Sequence, residues 1–84
     1  MIYIGIVDDH QIVIDGLTAL LNHQPDIQIV CTANNGKEML DHLAENKIDV
    51  LLTDVMMPQM NGLELAELVS IMYPTTKIIA LSMN

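Results

Sequence analysis

The chain has 84 residues, 51% of them hydrophobic, with 11 acidic residues against three lysines, no arginine and a net charge of −8. That length holds one domain, spanning residues 1–84, with a modest core that buries roughly 60–65% of the unfolded surface. The apolar content excludes a disordered tail. The shortage of cations excludes nucleic-acid binding by this chain and sets it against anionic membranes.

Met1 to Val7 is apolar but has no basic residue and meets Asp8 and Asp9 too soon for a signal peptide or membrane span. Ile2-Tyr3-Ile4-Gly5-Ile6-Val7 instead predicts a strand buried on both faces, as in a parallel sheet. From His10 to His23, Val13, Ile14, Leu17, Leu20 and Leu21 fall at helical spacing, and Pro25-Asp26 breaks the pattern. Ile27 to Ala33 predicts a second strand. Asn34-Asn35-Gly36 is a turn whose Asn35 can cap a helix with Glu38 in its first turn and a face of Met39, Leu40, Leu43 and Ala44.

Ile48 to Thr53 predicts a third strand, and Asp54 to Gly62 a loop containing Pro58 and Asn61-Gly62. Leu63, Ala66, Val69 and Met72 predict the face of a third helix, which Pro74 ends. Lys77 to Leu81 predicts a fourth strand. This βαβαβαβ order with short connections implies a parallel sheet with helices on its faces, joined by right-handed crossovers.

Ligands in such a sheet bind beyond the carboxyl ends of the strands, where strand order reverses. Asp8 and Asp9 follow the first strand and Asp54 the third. If the second and third strands flank the first, these three carboxylates meet there. They would repel one another unless a cation neutralised them, and oxygen donors of this kind suit Mg²⁺. An Asp after a strand is also a common turn or cap residue, so the weight falls on the pair and its distant third member together. His10, His23 and His42 show no ligand spacing and are assigned surface or core positions. Thr53 is assigned to the strand core, and the single cysteine, Cys31, to a buried site in a chain that can form no internal disulfide.

Ile6-Val7-Asp8-Asp9-His10, Leu51 to Pro58, Met60-Asn61-Gly62 and Ile79-Ala80-Leu81-Ser82 together resemble the signature segments of response-regulator receiver domains, in the family's order and across the whole chain. The Asp9-His10 start and the Leu81-Ser82-Met83 end resemble most the subfamily with a helix-turn-helix DNA-binding output domain. The resemblance implies a flavodoxin-like fold with strand order 2-1-3-4 and helices on both faces. It further implies that Asp54 accepts a phosphoryl group from a sensor histidine kinase in the cytoplasm. Asp8, Asp9, Asp54 and the backbone carbonyl of Met56 would hold Mg²⁺, and Ser82 would bond the phosphoryl group.

The resemblance also leaves expectations at the far end. The family's pattern continues with a helix, a fifth strand ending in a Lys, and a final helix, so the chain reads as C-terminally truncated. Lys37, Lys47 and Lys77 do not match that Lys. The fourth strand is then an edge, which predicts self-association through it. Two further readings stand beside the phosphoacceptor: a degenerate receiver that serves only as a dimerisation or interaction module, and a small Mg²⁺ phosphohydrolase. The first reading makes the chain a signalling domain rather than an enzyme.

Overall fold

The structure, a computed structural model, describes residues 1–57 and 60–81. Its elements in chain order are β1 (Ile2–Val7), α1 (Gln11–Leu21), β2 (Ile27–Ala33), α2 (Gly36–Glu45), β3 (Val50–Asp54), α3 (Gly62–Met72) and β4 (Lys77–Leu81). The four strands form one parallel sheet in the order β2-β1-β3-β4. The flavodoxin-like architecture expected from the sequence is the one observed.

The continuous apolar strands are explained by burial on both faces. Ile4, Ile6 and Leu52 pack with Ile14 of α1 on one side of the sheet, bordered by Leu17 and Leu21. Val7 and Leu51 point the other way and pack with Met39 and Leu43 of α2 and Leu65 and Val69 of α3. Successive residues of a strand thus serve opposite cores, as the two-residue period requires. A fully buried side chain such as Leu65 contributes about 1.5–3 kcal/mol relative to exposure.

Several local expectations are corrected. The α3 face predicted from Leu63, Ala66, Val69 and Met72 is wrong at both ends, where Leu63 is 66% and Met72 56% exposed. Each three-residue step falls about 60° short of a turn. Leu63 and Met72 therefore point to opposite sides, and the buried pair is Leu65 and Val69, one turn apart. On α1, Leu20 is exposed for a similar reason, lying off the Ile14–Leu17–Leu21 stripe. On α2, Ala44 is exposed while Met39 and Leu43 are buried.

Strand β3 starts two residues later than predicted and includes Asp54. Before it, Asp49 is tied to β1: its Oδ2 accepts from the Tyr3 amide at 2.9 Å, and its own amide donates to the Tyr3 carbonyl at 2.8 Å. The Asp side chain takes a bond that the strand ladder would otherwise make. Asn35 caps α2 as expected, accepting from the Glu38 amide at 2.8 Å. Asn61 and Glu64 form a reciprocal capping box at the start of α3.

Candidate metal centre

The sheet order determines what meets at its carboxyl edge. Val7 is paired with Thr53 across β1 and β3, so Asp8, one residue on, lies beside Asp54. Asp8 is 1% exposed and Asp54 6% exposed, while the Asp9 side chain keeps 26%. One donor atom each from Asp8, Asp9, His10 and Asp54 lies within 4.8 Å of the others. The three carboxylates that the sequence singled out are therefore brought together.

Local chain geometry holds each of them. The Asp8 amide donates to the Ala33 carbonyl at 3.1 Å, fixing the exit of β1 against the end of β2. Asn34 Nδ2 lies 3.4 Å from the Asp8 carbonyl and 3.0 Å from Gln11 Oε1, bridging that exit to α1. Asp54 Oδ1 accepts from the Met56 amide at 3.2 Å, which orients the carboxylate plane. Thr53, buried as predicted for a core strand residue, donates its hydroxyl to the Asp54 carbonyl at 3.0 Å. Gly62 donates its amide to the Val55 carbonyl at 2.9 Å and brings the start of α3 against the Asp54 main chain.

Three carboxylates this close carry a charge that the protein does not balance with a lysine. Among the described residues, the cationic nitrogen within 4 Å of them belongs to His10. Asp8 Oδ2 and Asp9 Oδ1 are buried atoms without a hydrogen-bond partner. A buried unpaired carboxylate oxygen is costly, and a cation relieves both that cost and the mutual repulsion. An all-oxygen set of two or three carboxylates, completed by carbonyl and water, fits Mg²⁺ by its chemistry.

His10 is the residue that sequence reasoning missed. It is exposed, as a surface assignment expects, but from the N-cap position of α1 it also places Nδ1 in the acidic cluster. Its amide donates to Asp8 Oδ1 at 2.8 Å, and its Nδ1 lies 3.0 Å from that same oxygen. Nδ1 is also 3.0 Å from Asp9 Oδ1, but its hydrogen-bond geometry is satisfied only toward Asp8. The hydrogen bond to Asp8, and after it the charge on Asp9, hold the imidazole pKa above its ordinary 6.5. The signal available in the sequence was its place immediately after the acidic pair, since the turn into α1 keeps such a residue close.

His23 is exposed, His42 is partly buried on α2, and neither joins the cluster. Cys31 is half-buried rather than fully so. Burial pushes its thiol pKa up, and its Sγ sits 4.0 Å from Met39 Sδ, on the core side of β2 and away from the carboxylates. Ser82 and Pro58 lie outside the described residues.

A parallel βα sheet with a carboxylate crevice at its carboxyl edge defines a narrow class of small α/β domains. The profile of the response regulator receiver domain matches residues 4–84, and the chain belongs to that family. It is 41% identical over 81 residues to the oxygen regulatory protein NreC of Staphylococcus haemolyticus, and 37% identical over 82 residues to the transcriptional regulatory protein LnrK of Bacillus subtilis. It is also 37% identical over 79 residues to a protein-glutamate methylesterase/protein-glutamine glutaminase of Nitrosospira multiformis.

These matches cover 95%, 98% and 94% of this chain but only 37%, 37% and 22% of the relatives' lengths. Among solved structures, the isolated receiver domain of RcsB from Salmonella enterica serovar Typhimurium, determined with a phosphomimetic BeF3−, superposes with a TM-score of 0.92 at 28% identity. That match covers 99% of this chain and 62% of the other. No helix among the described residues is long and apolar enough to cross a membrane.

Proposed function

We propose that this receiver domain is the phosphoacceptor of a two-component pathway, taking a phosphoryl group from a phosphohistidine of a sensor histidine kinase onto Asp54. The observation that carries this reading is the buried, unpartnered Asp8 Oδ2 beside Asp54 and Asp9, a carboxylate set that calls for a cation where Asp54 would react. Asp8, Asp9, Asp54 and the Met56 carbonyl are the groups that would hold Mg²⁺. When bound, Mg²⁺ neutralises phosphoryl oxygens so that an anionic carboxylate can approach them.

The chain's own residues supply the rest. The Met56 amide holds Asp54 Oδ1, so that the carboxylate meets a donor in a fixed orientation. Attack by an Asp54 oxygen forms the O–P bond as the P–N bond of the donor phosphohistidine breaks. The departing imidazole takes up a proton from solvent, and Asp54 becomes an acyl phosphate. Ser82 carries over the role of hydroxyl donor to that phosphoryl group.

The name of the transcriptional regulatory protein LnrK supports control of transcription through an output domain outside the 84 residues, and we place the pathway in the cytoplasm. On this reading the chain is a signalling domain and does not turn over external substrates. The test is an amide NMR titration with Mg²⁺. Shifts confined to the Asp8–His10 and Asp54–Met56 segments, and lost in Asp54→Ala, support it; a spectrum indifferent to Mg²⁺ contradicts it.

A second reading, an interaction module, has its own observation. Among the described residues β4 pairs only with β3, and Ile79 on it is 50% exposed. An edge strand of this kind can add a strand from another copy. Sedimentation velocity at rising concentration should then show a dimer that Ile79→Lys weakens. A monomer throughout contradicts it.

A further inference from the structure

The three carboxylates of the proposed cation site suit a hard, oxygen-seeking ion, but His10 adds a donor of another kind. Its Nδ1 stands 3.0 Å from Asp8 Oδ1, 3.0 Å from Asp9 Oδ1 and 4.0 Å from Asp54 Oδ2. Donors bound to one ion at about 2.1 Å stand about 3 Å apart when adjacent in an octahedron and about 4.2 Å apart when opposite. The 3.0 Å spacings are also hydrogen-bond distances, and Nδ1 bonds Asp8 Oδ1; one donor atom from each of Asp8, Asp9, His10 and Asp54 lies within 4.8 Å of the others, so a single ion could take the place of that shared proton.

Two features bear on the same crevice. Asp8 Oδ2 and Asp9 Oδ1 are buried oxygens without a partner, and Asp9 Oδ1 is one of the atoms 3.0 Å from His10 Nδ1. The His10 amide donates to Asp8 Oδ1 at 2.8 Å and its Nδ1 lies 3.0 Å from the same oxygen, which holds Nδ1 at the crevice. The side chain is 63% exposed, so an ion from solvent can reach it.

We propose that His10 Nδ1 is a metal ligand, which gives the crevice a mixed nitrogen–oxygen donor set suited to a borderline divalent ion such as Ni²⁺ or Zn²⁺ as well as to Mg²⁺. This rests on the reading of Asp8, Asp9 and Asp54 as a cation site. Imidazole strengthens binding of later first-row ions far more than of Mg²⁺, which prefers oxygen and water. The metal held in the crevice would then depend on which ions the surroundings supply.

The test compares Mg²⁺ and Ni²⁺ binding to the 84-residue chain by calorimetry in the parent, His10→Ala, His10→Gln and Asp54→Asn forms. Measurements at about pH 8 keep most of a free imidazole neutral. His10 lies at an exposed position, so its variants should fold, and amide NMR checks that they do. The expected result is a loss of Ni²⁺ affinity of about tenfold or more in both His10 variants, since disturbing even a partner of a ligand costs that much. Mg²⁺ affinity should change by less than about twofold, because oxygen donors dominate its binding.

Cu²⁺ gives a direct signature. Its paramagnetic resonance spectrum should show nitrogen hyperfine structure that His10→Ala removes and that His23→Ala and His42→Ala leave in place. Equal losses for Mg²⁺ and Ni²⁺, or a Ni²⁺ affinity unmoved by His10→Ala, would overturn the proposal while leaving the carboxylate site intact. Binding of both ions indifferent to Asp54→Asn would instead overturn the cation site itself, and the proposal with it.

Discussion

Gly62 lies against the main chain of Asp54 so closely that a Cβ at position 62 would meet the Asp54 carbonyl oxygen, with Val55 Cα at 2.9 Å and the Asp54 carbonyl carbon at 3.0 Å. All three are backbone atoms, and none can swing aside as a side chain can. The first residue of α3 and the central residue of the site are therefore a packed pair. Gly62→Ala should cost about 1–3 kcal/mol of unfolding free energy, the range for forced overpacking, and should displace Asp54. Gly36→Ala is the control. The atoms nearest its Cβ would all belong to the Met60 side chain, with Sδ at 2.8 Å, which can rotate away. Urea unfolding of the two variants checks the difference, and equal losses would count against the account.

Asp8, Asp9 and Asp54 repel one another in the absence of a cation, so binding one should stabilise the fold. At a Mg²⁺ concentration of about a hundred times Kd, linkage predicts about 2.7 kcal/mol of added stability. Asp8→Asn should abolish most of that gain, because it removes the charge of the most buried of the three carboxylates. Thermal unfolding with and without Mg²⁺ reads this directly. A gain that survives Asp8→Asn would place the ion elsewhere.

His10 should titrate above 6.5 in the metal-free protein, because Asp8 and Asp9 favour its charged form. The folded chain then binds that proton more tightly than the unfolded chain does. The stabilisation is fully present below about pH 6.5 and is lost as pH rises through the higher folded value. Proton NMR of the imidazole should show the raised midpoint, and Asp8→Asn should bring it back toward 6.5. A midpoint at or below 6.5 in the parent chain would contradict the observed geometry.

Much of this was legible in the sequence, and the failures have physical causes. Ile2–Val7 announced a buried parallel strand because both faces of the sheet are covered there, which leaves a near-continuous apolar run; Lys77–Leu81 announced a strand too, but it lies at the sheet edge with none of its residues buried. Asn35 and Asn61 announced helix starts because cap chemistry is local to three or four residues. Asp8, Asp9 and Asp54 could be gathered on paper once the strand order was assumed, and the Val7–Thr53 register then brings them together.

The face of α3 was misread because apolar residues cover nearly the whole helix, and a three-residue step drifts around it; only contact with β1 and β3 picks out Leu65 and Val69. His10 was missed because a histidine carries no helical or strand period of its own. Its role comes from the turn at the N-terminus of α1, where the His10 amide bonds to Asp8 and Nδ1 is held at the carboxylates.

The most direct test of the central claim is phosphorylation of the intact chain by a small phosphoramidate donor, followed by intact mass and peptide mapping. The account predicts addition of one phosphoryl group at Asp54, dependent on Mg²⁺, slowly lost by hydrolysis, and absent in Asp54→Asn. Incorporation without Mg²⁺, incorporation on another residue, or none in a chain whose NMR spectrum shows it folded, would contradict it.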